Sequence, residues 1–159
     1  MTRAYVALGS NLDDPQRQVL RAMDALADLP DTSVCRRSSL YRTPPWGVLE
    51  QPAFINAAVE LETSLAPHVL LDAMLAIEQR AGRVRGERNG PRTLDLDLIH
   101  VDDVQIDDAR LTLPHPRMAE RAFVLLPLRD IAPTMALPGD VTVAQRLAQL
   151  DLSGYERLA

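Results

Sequence analysis

Two carboxylates, two residues apart, give the strongest chemical signal in this chain. Asp95 and Asp97 lie in the string TLDLDLIHV. Its alternation predicts a β-strand with both carboxylates on one face and Leu94, Leu96 and Leu98 on the other. Like charges this close repel unless a hard cation sits between them, and magnesium is often held by one or two carboxylates plus substrate phosphates. From the DxD string alone a solvated strand face is the commoner outcome. A general base is a third and weaker reading, since nothing in the neighbouring sequence would raise a carboxyl pKa. Just upstream, Arg83, Arg85, Arg88 and Arg92 fall within ten residues. Guanidinium forks suit bidentate contact with phosphate oxygens; the plain alternative is a solvated basic loop paired with local acids such as Glu87. The juxtaposition favours chemistry, because arginines leading into paired carboxylates offer what a polyphosphate and Mg2+ need together. Gly82, Gly86 and Gly90 leave that loop free to move, as over a phosphoryl-transfer site.

Two further features could serve a ligand. In LTLPHPRMAERAF, His115 sits between prolines, with Arg121 and Phe123 following. A single histidine is more often structural, but beside an arginine it can donate to phosphate or polarise a leaving oxygen. In AFINAAVELET, Phe54 and Asn56 share one face of a predicted strand. An aromatic ring beside an amide can stack on a flat heterocycle and hydrogen-bond its edge, although Phe54 as an ordinary core residue is the blander reading.

The elements that must position these groups follow from the pattern. A strand is predicted over 2–8, then a helix to Ala27 with Asp13 or Asp14 as its cap, Pro15 in its first turn and Val19, Leu20, Met23 and Leu26 at helical spacing. Residues 33–42 read as one extended strand, and TPPWG ends it. After a loop to Pro52, AFINAAVELET is a strand with Ile55, Ala57, Val59 and Leu61 opposite the Phe54–Asn56–Ala58 face. Ser64 and Pro67 open a second helix with Leu70, Met74, Ile77 and Ala81 as its buried stripe and Gly82 as its stop. DDVQIDD predicts a short extra strand or hairpin arm. The chain turns helical through Met118 and Arg121, with further helices near 124–131 and 142–150. The order through Val101 is β-α-β-β-α-β, that of a ferredoxin-like α+β fold: helices packed on one face of an antiparallel sheet, here with extra C-terminal helices.

Composition bounds the function. At 159 residues and 17.6 kDa, the chain fits a single domain over 1–159. It has no apolar run long enough for a membrane span or a secretory signal, so a cytoplasmic protein is expected. The net charge of −5 argues against a broad nucleic-acid surface. All 17 basic residues are arginine, which excludes a lysine Schiff base and a Walker lysine. The single cysteine, Cys35, excludes an internal disulfide and is expected as a small core residue. No sequence feature marks a dimer face, and a monomer is expected.

The motifs GSNL, YRTPPWG, FINAAVELET, GRVRGERNGPRTLDLDLI and LTLPHPRMAERAFVLLPL occur in this order. Together they resemble the 6-hydroxymethyl-7,8-dihydropterin pyrophosphokinases of folate biosynthesis, over essentially the whole chain to about residue 150. The resemblance implies a ferredoxin-like fold and transfer of the pyrophosphoryl group of ATP to the pterin hydroxymethyl oxygen, with release of AMP. It implies that Asp95 and Asp97 hold two Mg2+ ions, Asp95 also facing the pterin, and that Arg83 and Arg92 grip phosphate and stabilise the transferring group. Leu71, Glu78, Arg85, Arg92, Leu98, Arg110, Leu111, Thr112, His115 and Arg121 would bind ATP. The pterin would stack between Phe54 and Phe123, with Asn56 and the chain at Thr43, Pro44 and Trp46 reading its edge. Loops near 10–14, 44–52 and 83–91 would close to exclude water. The chain departs from the family pattern in four places. Asn89 stands for a common tryptophan in an arginine loop one residue shorter near Gly86, Pro116 for a tyrosine, Leu75 for a glutamine and Trp46 for a leucine. Two alternatives compete: a ferredoxin-like small-molecule-binding regulatory module without turnover, and an RNA-binding module. The first leaves the arginine loop unexplained; the second is disfavoured by charge and by the scarcity of aromatics.

Overall fold

The computed structural model describes residues 1–45, 50–82 and 94–158. Its elements are β1 (Thr2–Ser10), α1 (Pro15–Ala27), β2 (Thr32–Arg37), β3 (Tyr41–Thr43), β4 (Phe54–Thr63), α2 (Pro67–Arg80), β5 (Asp95–Val101), β6 (Ile106–Asp107), β7 (Thr112–Leu113), α3 (Ala122–Ile131), β8 (Ala136–Leu137), β9 (Val141–Thr142), α4 (Val143–Leu147) and β10 (Glu156–Arg157). The main sheet is antiparallel in the order β10-β3-β4-β1-β5, with β2 also paired to β4. β6 and β7 form a separate hairpin, as expected from DDVQIDD, and so do β8 and β9.

Strand alternation sorts the core into two layers. Ala4, Val6 and Leu8 of β1, Ile55, Ala57, Val59 and Leu61 of β4, and Leu96 and Leu98 of β5 pack against Val19, Met23 and Leu26 of α1 and Leu70, Met74 and Ile77 of α2. The intervening residues Tyr5, Ala7, Ala58 and Ile99 pack against Val124, Leu125, Leu128 and Ile131 of α3 and Val143 and Leu147 of α4. Helices therefore cover both faces of the sheet. The reason is legible in β4, where Ile55 through Leu61 are all buried; a strand apolar on both sides needs cover on both sides.

Several local expectations are corrected. The stretch 33–42 is not one strand, because Ser38 interrupts it. Its amide donates to the Ala58 carbonyl (2.9 Å) and its hydroxyl accepts from the Ala58 amide (2.8 Å), which satisfies β4 while the chain changes direction into β3. Cys35 is exposed, not core; it lies where the β2–β4 register slips, between Val34 and Arg36. Asp14 occupies the N-cap position of α1, but in a left-handed conformation (φ 60°) and without a side-chain cap bond. The N-cap of α2 is Ala66, and Glu78, not Ala81, completes the buried side of that helix. Gly82 does adopt the left-handed conformation (φ 81°) suited to ending it. The last helix is shorter than expected. It starts at a capping box in which the Gln145 amide donates to the Thr142 hydroxyl (3.1 Å) and the Thr142 amide to the Gln145 side chain (2.9 Å). Among the described residues no helix is long and apolar enough to cross a membrane.

Candidate active site

The sheet register builds the site. Gly9 of β1 is opposite Asn56 on one side and Asp95 on the other; one step back, Ala7 is opposite Ala58 and Asp97. Directly paired residues share a sheet face, so Asn56, Gly9 and Asp95 form one row across three strands. The central position of that row carries no side chain. With strands about 4.8 Å apart, Asn56 and Asp95 stand roughly 9–10 Å from each other across a flat backbone floor. Ala7 leaves the next row, beside Asp97, nearly as open.

Over this floor is a cavity of about 290 Å³ lined by Ala7, Leu8, Gly9, Thr43, Pro44, Phe54, Asn56, Asp95, Asp97, His115, Arg121, Phe123 and Val124. It opens where α3 begins, beyond the part of the sheet that this helix covers. Nine residues singled out from the sequence converge here: Thr43, Pro44, Phe54, Asn56, Asp95, Asp97, His115, Arg121 and Phe123. Phe54 is only partly buried and faces the cavity, in place of a core position.

One end of the cavity is suited to a heterocycle. Asn56 and Thr43 are buried, and the Asn56 amide donates to the Thr43 hydroxyl at 2.6 Å. A Cβ built on Gly9 would stand 2.7 Å from Asn56 Oδ1, so the amide oxygen rests on the space that glycine leaves. Behind this, the buried Asn11 side chain donates to the Gln51 side chain and to the Pro52 carbonyl, both at 2.9 Å. That pair of bonds ties the end of β1 to the segment entering β4.

The other end brings carboxylates and cations together. The His115 amide donates to the Ile99 carbonyl (2.9 Å), which anchors the histidine beside β5, after a cis Leu113–Pro114 bond. Its Nδ1 accepts from the Arg117 amide (3.2 Å), so the network assigns the proton of the neutral ring to Nε2. Burial, then the charges of Arg121 and Arg117, push His115 below the ordinary histidine value, against a smaller opposing pull from Asp95. The ring is a neutral donor near pH 7. The Arg121 guanidinium lies 5.7 Å from the Phe123 ring centroid. Its Nε is buried with no hydrogen-bond partner among the described residues. A buried donor in this state calls for an acceptor.

The remaining residues implied by the resemblance lie elsewhere. Leu98 and Leu111 are buried in the α1–α2 core layer, and Leu71 packs against it. Glu78 is buried and accepts from the Leu96 amide at 2.8 Å, so it holds the outer edge of β5. Arg110 is exposed and paired with Asp72 of α2, and Thr112 lies in β7. Arg83, Arg85, Arg88, Asn89, Arg92 and Trp46 lie outside the described residues. Sequence reasoning missed Gly9, Ala7 and Asn11 as site builders. A glycine inside a strand pattern was the available signal, because it often marks close backbone approach.

Comparison with known proteins agrees. The family model for 7,8-dihydro-6-hydroxymethylpterin-pyrophosphokinase (HPPK) matches residues 5–133. A Methylorubrum extorquens protein named 2-amino-4-hydroxy-6-hydroxymethyldihydropteridine pyrophosphokinase is 49% identical over 99% of both chains. Proteins of that name from Pseudomonas aeruginosa and Haemophilus influenzae are 48% and 42% identical, over 98% and 94% of this chain and 96% and 93% of their own lengths. Among solved structures, an HPPK-DHPS in complex with substrates superposes with a TM-score of 0.75 at 13% identity, over 99% of this chain and 47% of that one. Plasmodium falciparum HPPK-DHPS with pteroate gives 0.74 at 15% identity, over 93% of this chain and 42% of that one. These two share the fold, and this chain spans less than half of their length. On the family match and the identity to curated relatives, this chain belongs to the HPPK family.

Proposed function

We propose that this protein transfers the pyrophosphoryl group of ATP to the hydroxymethyl oxygen of 6-hydroxymethyl-7,8-dihydropterin, releasing AMP, in folate biosynthesis. The observation that carries the reading is one cavity lined by a buried amide and two aromatic rings, Asn56, Phe54 and Phe123, together with paired carboxylates, a neutral histidine and a buried guanidinium nitrogen without a partner among the described residues. The pterin would lie on the Gly9 floor between Phe54 and Phe123, with Asn56, fixed by Thr43, reading its amide-like edge. Pro44 and Trp46 would border that edge.

The pterin hydroxyl would attack the β-phosphorus in line and lose its proton to solvent as the bond to the α–β bridging oxygen breaks, and AMP would leave with the charge that grows on that oxygen. Phosphoryl oxygens turned toward α3 would meet His115 Nε2–H and the Arg121 guanidinium. Donors already in place cost no reorganisation as charge develops. Arg83 and Arg92 would grip the transferring group, with Arg85 on the nucleotide. By family resemblance, Leu71, Glu78, Leu98, Arg110, Leu111 and Thr112, on α2, β5 and the β6–β7 hairpin, would lie on the nucleoside side. Asp95 and Asp97 suit a hard cation, since they face one cavity opposite Gly9 and Ala7, which leave room between strands. They would hold Mg2+, two ions by family resemblance. Bound magnesium would neutralise phosphate charge and polarise the phosphoryl oxygens.

The strand order supports reading the sheet with α1 and α2 as a ferredoxin-like core, to which α3 and α4 are an addition. The shared sheet supports one domain over 1–159. We read the protein as a cytoplasmic monomer that does not act on nucleic acid; the net charge of −5 supports the last point. The test is a product assay with ATP, Mg2+ and 6-hydroxymethyl-7,8-dihydropterin. Pterin-dependent AMP, lost with EDTA, is expected. ADP, or no nucleotide product from a folded sample, overturns the reading.

A further inference from the structure

The segment 151–158 folds back beside Pro44 of the cavity wall. The Asp151 carboxylate accepts from the Ser153 amide (2.9 Å) and hydroxyl (2.6 Å), and the Tyr155 amide donates to the Leu152 carbonyl (3.1 Å). In the turn so closed, Gly154 takes the left-handed conformation (φ 82°). From there β10 pairs with β3, Glu156 opposite Arg42 and Arg157 opposite Tyr41. The Arg42 guanidinium donates to the Glu156 carboxylate (2.8 Å), Arg157 Nε to the Ser39 hydroxyl (3.0 Å) and the Leu158 amide to the Leu40 carbonyl (2.8 Å). β3 carries Thr43, the partner of Asn56, and leads into Pro44. Covering the edge of a three-residue strand accounts for this pairing. It does not account for the approach of Gly154 to the wall: a Cβ built there would stand 3.2 Å from Pro44 Cγ, tighter than ordinary contact. Gly139 turns with a similar φ (89°), yet nothing among the described residues lies within 4 Å of its Cβ position. A left-handed glycine need not sit against a neighbour. Gly154 does, and its neighbour lines the cavity.

We propose that Gly154 is a positioning residue for the pterin: held by the β10–β3 pairing, its bare Cα seats the Pro44 ring and so sets the cavity wall where β3 ends. The inference rests on the functional reading above and deepens it, since Pro44 borders the place proposed for the pterin. Any side chain at position 154 would make Pro44 Cγ give by a few tenths of an ångström. Packed side chains pass such a shift on to what they line. The residues proposed to bind ATP do not touch this pair, so the effect should fall on the pterin.

The experiment compares Gly154→Ala, Gly154→Asn and Gly139→Ala in the full chain. Each is titrated calorimetrically with 6-hydroxymethyl-7,8-dihydropterin in the presence of the Mg2+ complex of an α,β-methylene ATP analogue, alongside steady-state kinetics and thermal melts. Alanine at 154 adds backbone strain and the Pro44 contact together. Asparagine tolerates a positive φ better and keeps the contact. Alanine at 139 adds the strain alone. Both Gly154 variants should bind the pterin about three- to tenfold more weakly, with its KM raised to match and analogue affinity unchanged. Gly154→Asn should melt above Gly154→Ala, and Gly139→Ala should melt below wild type while binding the pterin normally. Wild-type pterin affinity in either Gly154 variant overturns the proposal, as does an equal loss in Gly139→Ala or an equal loss of analogue affinity. Failure of the functional reading looks different: wild type itself would bind no pterin, which overturns that reading and this inference with it.

Discussion

Replacing Gly9 with alanine tests the idea that a missing side chain shapes the heterocycle floor. Gly9 sits between Asn56 and Asp95 in the sheet register. The new methyl would stand 2.7 Å from Asn56 Oδ1. To reach van der Waals contact the amide must retreat by roughly half an ångström or more. It cannot retreat freely, because Nδ2 is held by the Thr43 hydroxyl at 2.6 Å in a buried setting. A shift of that size takes a hydrogen bond from its optimum to the edge of its range and should lose about 1–2 kcal/mol, or ~5–30-fold in pterin affinity. ATP affinity should change little, since the residues proposed to bind it do not touch the Gly9–Asn56 pair. The assay is calorimetric titration with 6-hydroxymethyl-7,8-dihydropterin in the presence of a non-hydrolysable ATP analogue, with thermal melts as a control for overpacking. A double-mutant cycle adds a second check: once Asn56→Ala is present, Gly9→Ala should cost little more, because both act through one amide. Wild-type pterin affinity in Gly9→Ala, or full additivity in the cycle, would refute the reasoning.

Other changes follow from the same geometry. Asp95→Asn and Asp97→Asn should each reduce Mg2+-dependent turnover by ~10³-fold or more, with the melting temperature unchanged or raised as carboxylate repulsion is relieved; a near-normal kcat in either would remove that residue from the metal. His115 has a folded pKa below its unfolded one, so the unfolded chain binds more protons between the two values. Its contribution to stability is therefore lost as pH falls through the ordinary histidine value and levels off below the folded pKa. Urea unfolding of His115→Gln should lack that acid-side decline, and an identical decline would place its origin elsewhere. ATP phosphates favour the protonated ring, so binding near pH 6 should take up protons, as read by calorimetry in buffers of different ionisation enthalpy. At the far end of the sheet, buried Glu60 accepts from the Tyr5 hydroxyl (2.8 Å) and from Arg3 (3.0 Å), with Arg36 at 3.6 Å. Glu60→Ala should destabilise by about 2–4 kcal/mol in chemical denaturation, because it leaves a buried phenol unpaired, and kcat should hold.

Much of this was legible because alternation is a strong signal. TLDLDLIHV announced its strand, its carboxylate face and its leucine face, and FINAAVELET placed Phe54 and Asn56 together. The same string also held the correction to the layering: buried residues on both faces of β4 require a second helical layer, which only the long-range packing of α3 and α4 reveals. Ser38 hides because a serine that swaps bonds with Ala58 looks, in sequence, like any strand residue. Cys35 was misplaced for a related reason, since a register slip on an edge strand reverses which face a residue takes. Gly9 carried a readable sign, but its meaning depends on Asn56 and Asp95 arriving from strands 47 and 86 positions away in the chain. The buried state of the Arg121 nitrogen and the tautomer of His115 depend on tertiary neighbours that no spacing encodes.

The central claim is that this cavity moves a pyrophosphoryl group intact from ATP to the pterin. The most direct measurement is the fate of label from ATP carrying ³²P at the β-position, incubated with Mg2+ and 6-hydroxymethyl-7,8-dihydropterin and followed by chromatography, with Asp97→Asn run beside it. Label is expected in a pterin product in step with AMP, and none from the variant. Label in free pyrophosphate or in ADP would contradict it.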